Sequence, residues 1–420
     1  MKRDNRNRAV KYSNKVKRKN KVNSSDSQNS LLDSKIARSK KNIQSNKNQK
    51  TSLIIIALLI FIFFGLLVII IIKMPEQPQV SQTDSLDEPL ETVDYHVLLT
   101  FNNNEGSNYH PFADQFVYLS QNNIQLLNHK KEVIYSENID LIRPVNVQND
   151  EYFLIADRES GQVIVLNHQG KQFSLSLDGV FAGAYFSEGD YVAIIEENQN
   201  QPGFVHIISL DAGHVHLTLQ FFESGYPLAI VFNDNLEYFD VLLSNTSSST
   251  LQTLINRYDL EGNQLGQIKL TEYPYLYAQI FYDQEDNIFI AGASNILVLD
   301  FSENKVIETY NTGRIIQIVN TNEIVFFASN RIDDDIFLVE WSETEETFVE
   351  KKLELLNQID KISYNDSVVA ISGNNRIQLI DLVDKKILLD QYVDTDILRM
   401  TIVDNSLILI SESDIKSIKF

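Results

Sequence analysis

The sequence predicts an all-β fold of eight similar four-stranded units, preceded by one membrane-spanning helix and a basic tail. From residue 95 onward, short runs of Val, Ile, Leu, Phe and Tyr alternate with turns rich in Asn, Asp, Gly and Ser, and no window keeps a 3.6-residue period. Groups of four such runs recur about every 40 residues. Upstream, the stretch from Leu53 to Ile72 carries no charge. The repeats predict the sheets, and the uncharged stretch predicts the helix.

Residues 51–73 form the predicted transmembrane helix. A helix of about 20 apolar residues spans about 30 Å, the thickness of the hydrocarbon core of a bilayer. A cleaved signal peptide is the competing interpretation, but its apolar region is usually about 7–15 residues long and follows a short basic lead. Here the basic lead covers residues 1–50, and Lys73 and Pro75 follow the apolar stretch. The pattern favours an uncleaved anchor that contacts the lipid bilayer.

The charge distribution predicts the orientation of this helix. Residues 1–50 contain 16 Lys and Arg against 3 Asp and Glu, whereas residues 74–420 contain 19 against 54. Basic residues before a span favour a cytoplasmic N-terminus, so residues 74–420 are expected outside the membrane of a single-pass protein. Residues 1–50 are poor in aromatic side chains and are predicted to be a disordered cytoplasmic tail.

The basic tail is expected to attract anionic lipids of the inner leaflet. Nucleic acid or an acidic protein, contacted through residues 11–21, is the alternative partner. Tyr12 is the only aromatic residue in that stretch, so base stacking by nucleic acid is disfavoured. Residues 74–94 are acidic and contain three prolines. They form a predicted extended linker with a reach of up to about 60 Å.

Residues 95–420 form the predicted extracytoplasmic domain, in which the last unit is one strand short. The eight units begin near Phe112, Val145, Ala182, Leu228, Tyr277, Ile315, Asp360 and Leu398. An additional strand from Tyr95 to Phe101 precedes the first unit. Pairing it with the last three strands closes a ring and removes a free sheet edge, which predicts an eight-bladed β-propeller. In the seven-bladed alternative, either this strand or the last three strands of the chain would belong to no blade.

Four prolines support the position of the first strand in each unit. Pro111, Pro144, Pro227 and Pro274 each fall just before the opening strand of a unit. Proline has no N–H for the strand ladder, so it is tolerated at the first residue of a strand and disfavoured inside it.

The repeats resemble β-propellers of the quinoprotein and WD40 type. The resemblance covers residues 95–420 and rests on stretches such as QVIVLNHQG (162–170) and RYDLEGNQLG (257–266), in which a strand leads into a Gly-containing turn. Together with the anchor, the chain is similar to membrane-anchored propellers of unknown function from Gram-positive bacteria. It departs from WD40 repeats because no unit ends in Trp-Asp. Quinoproteins of this fold hold their cofactor between a tryptophan and an adjacent-cysteine disulfide, whereas this chain has one Trp and no Cys.

The sequence contains little that indicates catalysis. The absence of cysteine excludes disulfides, thiolate catalysis and Cys-ligated metals. We find no nucleophile elbow, P-loop, dinucleotide-binding or zinc-protease motif, so no cofactor is expected. His206, His214 and His216 form one candidate metal site. His214 and His216 share a strand face, and a hairpin turn could place His206 opposite His216, near enough to bind zinc or copper. The alternative is three polar residues on half-exposed outer strands.

Propellers generally bind partners through the face where each unit is linked to the next. The residues predicted to lie on that face are Tyr109, His110, Arg143, Phe181, Tyr226, Tyr273, Tyr275, Arg314, Asp360 and Arg399. Tyr and Arg are enriched in interface hot spots. Phe181 and Tyr275 are equally compatible with a place in the core between units. Arg143 and Arg314 are the strongest candidates, and in so acidic a domain such cations are expected to lie near a carboxylate or an anionic partner.

The sequence therefore predicts a binding or scaffolding module for an unidentified protein of the cell envelope, without enzymatic activity. The alternative is an envelope hydrolase or lyase with a pair of carboxylates in the propeller channel. Asp and Glu are too common in this chain for their spacing to identify such a pair. A cluster of carboxyl groups with raised pKa values in the channel would favour the enzyme.

Overall fold

The computed structural model describes residues 95–420, apart from 103–104, 199–200, 223–224, 247–249, 321–323, 330–334, 354–357, 366 and 394–395. The predicted tail, transmembrane helix and linker lie outside the described residues. Within the described part of the chain, no helix is long and apolar enough to cross a membrane.

The first half of the domain contains an additional strand, a short 3-10 helix and four blades. The additional strand is β1 (His96–Thr100), and the 3-10 helix is Gly106–Asn108. Blade 1 consists of β2 (Tyr109–Phe112), β3 (Gln115–Leu119), β4 (Asn123–Leu127) and β5 (Val133–Asn138). Blade 2 consists of β6 (Pro144–Gln148), β7 (Tyr152–Asp157), β8 (Gln162–Asn167) and β9 (Gly170–Ser176). Blade 3 consists of β10 (Val180–Phe186), β11 (Tyr191–Asn198), β12 (Gln201–Ser209) and β13 (Val215–Gln220). Blade 4 consists of β14 (Tyr226–Phe232), β15 (Phe239–Asn245), β16 (Gln252–Tyr258) and β17 (Gln264–Leu270).

The second half continues the same pattern. Blade 5 consists of β18 (Tyr277–Tyr282), β19 (Ile288–Gly292), β20 (Asn295–Asp300) and β21 (Lys305–Asn311). Blade 6 consists of β22 (Arg314–Asn320), β23 (Ile324–Ser329), β24 (Ile336–Ser342) and β25 (Thr347–Leu353). Blade 7 consists of β26 (Lys361–Tyr364), β27 (Val368–Gly373), β28 (Arg376–Asp381) and β29 (Ile387–Tyr392). Blade 8 contains β30 (Arg399–Val403), β31 (Ser406–Ile410) and β32 (Asp414–Lys419).

The described strands form eight four-stranded antiparallel sheets, which confirms the prediction of eight blades. In blades 1 to 7 the strands pair in chain order. Neighbouring blades touch through their first strands, for example β10 with β14, β14 with β18, and β26 with β30. The first strands therefore surround the axis of the ring, and the fourth strands lie outside.

Blade 8 is completed by β1, as the sequence predicts. Its strand order is β1-β32-β31-β30, and β1 runs antiparallel to β32, with His96 opposite Ser417 and Thr100 opposite Asp414. Leu99 packs in a buried cluster with residues of blades 1 and 8. Gly106 then lies so close to blade 8 that a Cβ atom there would be 1.8 Å from the carbonyl oxygen of Ser411.

The hydrophobic core lies between the blades. In blade 3, Ile194 packs in one cluster with residues of blade 2, whereas Ile195 packs in another cluster with residues of blade 4. Successive side chains of a strand point to opposite faces of its sheet, so a strand with a blade on either side is buried on both faces. For this reason the inner strands read as continuous apolar runs, such as IFIAG in β19, in which the first four residues are buried.

Two of the four prolines lie inside strands, which corrects the predicted position. Pro144 opens β6 and Pro274 precedes β18, but Pro111 is the third residue of β2 and Pro227 is the second residue of β14. First strands pair on one side only, with the second strand of the same blade. A proline that directs its missing N–H toward the channel therefore removes no ladder bond.

The ring has two faces, which differ in the turns and links that they carry. Because the strands alternate in direction, each fourth strand ends on the side where the next blade begins. The links between blades and the turns between second and third strands lie on this side, which we call the link face. The turns between first and second strands, and between third and fourth strands, lie on the other side, which we call the opposite face.

Candidate binding face

Large apolar side chains are exposed along the link face of four successive blades. They are Ile142 in the link to blade 2, Val180 at the start of blade 3, Phe222 and Tyr226 in and after the link to blade 4, and Tyr275 and Leu276 in the link to blade 5. Between 43% and 61% of each residue's surface is exposed. We call these six residues the apolar arc.

A hydrogen bond attaches the link to blade 5, which carries Tyr275, to the third strand of blade 4. Tyr226 lies opposite Ser244, and Ser244 lies opposite Thr253. The Thr253 hydroxyl donates a hydrogen bond to the carbonyl oxygen of Tyr275 (3.2 Å). The link to blade 5 is thus attached to the row of blade 4 residues that begins with Tyr226.

A buried carboxylate holds the link to blade 2. Asp157 accepts hydrogen bonds from the backbone N–H of Arg143 (2.7 Å), the backbone N–H of Ile142 (3.3 Å) and the hydroxyl of Ser160 (2.7 Å). Burial raises the pKa of Asp157, but these donors outweigh it, so that its pKa is lowered overall. Asp157 therefore positions the exposed Ile142 and Arg143.

The three arginines predicted on the link face have different surroundings. Arg143 lies 3.8 Å from Glu159, and both side chains are more than half exposed, so the ion pair is weak. The side chain of Arg314 is exposed and makes no hydrogen bond or ion pair with the described residues. Arg399 donates to the carbonyl oxygens of Ser107 (2.8 Å) and Tyr109 (2.9 Å) instead of pairing with a carboxylate. It therefore joins blade 8 to blade 1, and burial lowers its pKa.

Other predicted residues of this face are less accessible. His110 is buried between blades 1 and 2, with its ring edge to face with Phe153. Burial and the nearby Arg399 lower the pKa of His110 to about 3. It is therefore not available to a partner, because inner-strand side chains alternate between channel and core. Tyr109 and Tyr273 are half-buried; Tyr109 stacks on Phe101 with ring centroids 4.7 Å apart.

Phe181 lies in the core between blades 2 and 3, which was the alternative to a place on the binding face. Tyr275 is exposed, and so is Asp360, which accepts a hydrogen bond from Gln358 (2.5 Å). The sequence reasoning missed Ile142, Val180, Phe222 and Leu276. Their signal was available, since three of them directly adjoin predicted residues, but the prediction favoured Tyr and Arg side chains, which are enriched in interface hot spots.

The three histidines proposed as metal ligands do not converge. His206 lies opposite Thr218, not His216, because the turn and a bulge between Ile207 and Ile208 shift the register. Its Nδ1 is 3.0 Å from the Thr218 hydroxyl, and its Nε2 is 3.0 Å from the Glu196 carboxylate.

His216 contacts the carbonyl oxygen of Leu260 in blade 4 (3.1 Å), and His214 lies in the turn before β13. Among the residues that the structure describes, no group of three or more His, Asp or Glu side chains could hold a metal ion. The histidines are therefore surface and packing residues here.

The described carboxyl groups whose pKa values are displaced do not show the pattern expected of an acid–base site. The described carboxyl groups with displaced pKa values are Glu137, Asp157, Asp259 and Asp300, and all four are displaced downward. Hydrogen bonds from Lys171 and Tyr135 lower the pKa of Glu137, and those from neighbouring turn residues lower the pKa of Asp259 and Asp300. Such carboxylates stay ionised and act as acceptors in turns and blade contacts.

A buried ion pair stabilises the contact between blades 4 and 5. Arg257 donates to both oxygens of the fully buried Asp240, through Nε (2.9 Å) and Nη2 (2.8 Å). The guanidinium lies between the rings of Tyr238 and Phe301, 3.9 and 3.8 Å from their centroids. Both carboxylate oxygens are occupied, so the cluster is structural.

The eight blades and their closure by β1 define the protein as a β-propeller. Residues 88–420 match a family described as a family of unknown function (DUF5711), and the chain belongs to that family. The crystal structure of BamB from Moraxella catarrhalis is similar, with 12% identity and a TM-score of 0.50, over 78% of this chain and 100% of that chain. The crystal structure of Saccharomyces cerevisiae Sqt1 is similar with 11% identity and a TM-score of 0.54, over 77% of this chain and 99% of that chain. No curated protein matches the sequence.

Proposed function

We propose that the protein is a non-enzymatic protein-binding module whose apolar arc contacts another protein of a bacterial cell envelope. The observation that carries this proposal is the exposure of six large apolar residues in the links of four successive blades. Exposed apolar patches on a protein surface mark interaction sites, and tyrosines contribute strongly to interfaces because they bury a large amphipathic area.

The size of the apolar arc suits this role. A large aromatic side chain buries about 150–250 Å² in full, so six half-exposed residues offer roughly 600 Å². A standard interface buries about 800 Å² on each partner, so the arc would supply most of one side. The exposed Arg143 beside Ile142 would lie at its polar rim and contribute to specificity.

The envelope location rests on residues 1–94. The uncharged stretch from Leu53 to Ile72 would anchor the chain in the bilayer, with the basic tail in the cytoplasm of a Gram-positive bacterium, near anionic lipids. Residues 74–94 would hold the propeller at a distance of up to about 60 Å outside the membrane. Digestion of the linker by protease added to intact protoplasts is expected, and protection of the propeller would contradict this orientation.

Pulldown from membranes with the full-length chain tests the binding face. We expect wild type to recover a stoichiometric partner, and the Tyr226→Ser/Tyr275→Ser double variant to lose it. Tyr392→Ser is the matched control, since Tyr392 is equally exposed but lies on the outer strand of blade 7. Equal recovery by wild type and the double variant would refute the role of the arc, and absence of any stoichiometric partner would refute the scaffold function.

A further inference from the structure

A pocket lies on the link face between blade 7 and the link to blade 8, outside the apolar arc. Its volume of about 310 Å³ is near the lower end of the range of about 300–1,000 Å³ that is usual for small-molecule sites. The lining residues come from the start of β26, from the turn between β27 and β28, and from the link that follows β29. A pocket of this size is suited to a small ligand.

Backbone hydrogen bonds fix the walls of the pocket relative to one another. The N–H of Asp360, just before β26, donates to the carbonyl oxygen of Ser372 at the end of β27 (2.7 Å). The N–H of Val393, just after β29, donates to the carbonyl oxygen of Asn375 in the turn between β27 and β28 (2.8 Å). Both segments that flank the pocket are therefore attached to the second and third strands of blade 7.

Two charged side chains of the lining are already engaged. The guanidinium of Arg376 donates to both carboxylate oxygens of Asp390, through Nε and through Nη2 (2.6 Å). The carboxylate of Asp360 accepts a hydrogen bond from the side-chain amide of Gln358 (2.5 Å). These pairs hold Arg376 and Asp360 in the wall, so neither is the primary contact for a ligand.

Lys361 and Asp396 are the charged residues of the lining that remain available. Both are exposed, and neither side chain makes a hydrogen bond or ion pair with the residues that the structure describes. The two groups have opposite charge and line the same pocket, but they do not pair with each other. A ligand that carries both a positive and a negative group can therefore pair with both side chains at once.

We propose that this pocket binds a free α-amino acid with an aliphatic side chain. The carboxylate of the ligand accepts from the ammonium group of Lys361, and the ammonium group of the ligand donates to the carboxylate of Asp396. The side-chain amide of Asn375, which is exposed and makes no hydrogen bond with the described residues, donates to the ligand's carboxylate. The aliphatic side chain of the ligand contacts Ile397, which is half-buried in the pocket wall.

The charge balance of the lining favours a zwitterion over other small ligands. The lining contains two carboxylates, Asp360 and Asp396, and two cationic groups, Lys361 and Arg376. A phosphate ester or a polyamine carries an excess of one charge and would place it beside a group of the same sign. An uncharged sugar would cover Lys361 and Asp396 without pairing either charge, which costs free energy.

Equilibrium dialysis of the full-length protein in an uncharged detergent, with radiolabelled L-leucine as the probe, tests this proposal. We expect saturable binding that unlabelled L-leucine displaces. N-acetyl-L-leucine lacks the ammonium group and L-leucinamide lacks the carboxylate, so each should compete about fivefold less well, because it loses one ion pair. The dipeptide L-leucyl-L-leucine holds its two charges further apart and should also compete less well. Absence of saturable binding would overturn the proposal, and equal competition by any of these three compounds would overturn the assignment to a free amino acid.

Substitutions of the two available charges locate the site. Lys361→Gln and Asp396→Asn should each weaken L-leucine binding about fivefold, because each removes one exposed ion pair with the ligand. Lys305→Gln and Asp404→Asn are matched controls that remove the same charges from exposed positions in blades 5 and 8, and they should bind as wild type. Circular dichroism verifies the folding of each variant, and unchanged affinity in both folded pocket variants would refute the location.

The pocket and the apolar arc can be tested separately, since the arc ends at the link to blade 5 and the pocket lies in blade 7. The Tyr226→Ser/Tyr275→Ser double variant is expected to keep L-leucine binding, and the Lys361→Gln variant is expected to keep the protein partner in the pulldown. Loss of L-leucine binding in the double variant would contradict the assignment of the ligand to this pocket.

Discussion

Replacing Leu99 by alanine tests whether β1 closes the ring and thereby stabilises all eight blades. Leu99 is 6% exposed and packs with Phe116, Ile408, Ile410 and Ile415, so it contacts both blade 1 and blade 8. Val97 lies on the same strand but is 47% exposed. Val97→Ala is therefore a matched control that shortens a side chain of β1 without opening the core.

The expected loss follows from the burial of Leu99. A buried Leu→Ala substitution costs about 2–5 kcal/mol, because apolar contacts are lost and a cavity remains. Unfolding entropy of about 2.1 cal/mol/K per residue gives roughly 0.7 kcal/mol/K for a domain of about 326 residues. A loss of about 3 kcal/mol therefore lowers Tm by about 4 °C. Exposed substitutions usually change stability by less than about 0.5 kcal/mol, so Val97→Ala should shift Tm by less than about 1 °C.

Thermal unfolding followed by Trp341 fluorescence measures this effect at a distance, since Trp341 lies in blade 6. If closure makes the ring cooperative, Leu99→Ala lowers the Trp341 midpoint by the same amount as the calorimetric midpoint. Equal midpoints for Leu99→Ala and Val97→Ala would show that β1 does not close the core. A lowered calorimetric transition with an unchanged Trp341 midpoint would show that blade 8 opens alone and would refute the cooperative ring.

Two further predictions concern buried polar groups. Asp240→Ala leaves the guanidinium of Arg257 buried without its partner and should lower the free energy of unfolding, measured in urea, by about 3–5 kcal/mol. Asp384→Ala removes an exposed ion pair and should change the free energy of unfolding little. A small effect of Asp240→Ala would mean that water replaces the carboxylate. His110 has a pKa lowered to about 3 in the folded state, against 6.5 when unfolded, so protons bind the unfolded chain preferentially. Its contribution to stability is complete above pH 6.5 and falls by up to about 1.4 kcal/mol per pH unit toward pH 3. His110→Gln should reduce this slope and the exposed His129→Gln should keep it, and identical slopes in calorimetry from pH 7 to 5 would contradict the burial of a neutral ring.

The blade count was predictable from the sequence because the core lies on both sides of the inner strands. A strand such as β19 is then apolar at consecutive residues, and four successive runs of strand residues separated by turns identify one blade. Three predicted strands follow blade 7, one fewer than a blade needs. The predicted strand from Tyr95 to Phe101 belonged to no other blade of the domain, so it could fill the missing position. The number of strands therefore predicted the closure without any knowledge of contacts.

Side-chain positions were less predictable, because they depend on register. His110 and Tyr109 are neighbours in β2, yet one is buried and the other is half-buried, and nothing in their identity says which. The pairing of His206 with Thr218 depends on a bulge, which inserts one residue and moves every later partner. A cation on this face was expected near a carboxylate or an anionic partner, but Arg399 donates to two carbonyl oxygens at the junction of blades 8 and 1.

The pairing of β1 with β32 has a consequence for synthesis. His96 and Ser417, which are joined across this pair, are 321 residues apart in the chain. At about 5–20 residues per second, the ribosome needs roughly 15–60 s to deliver the partner of a strand made near the beginning. During that interval β1 has no sheet partner, so the ring is expected to close only after blade 8 has been translated.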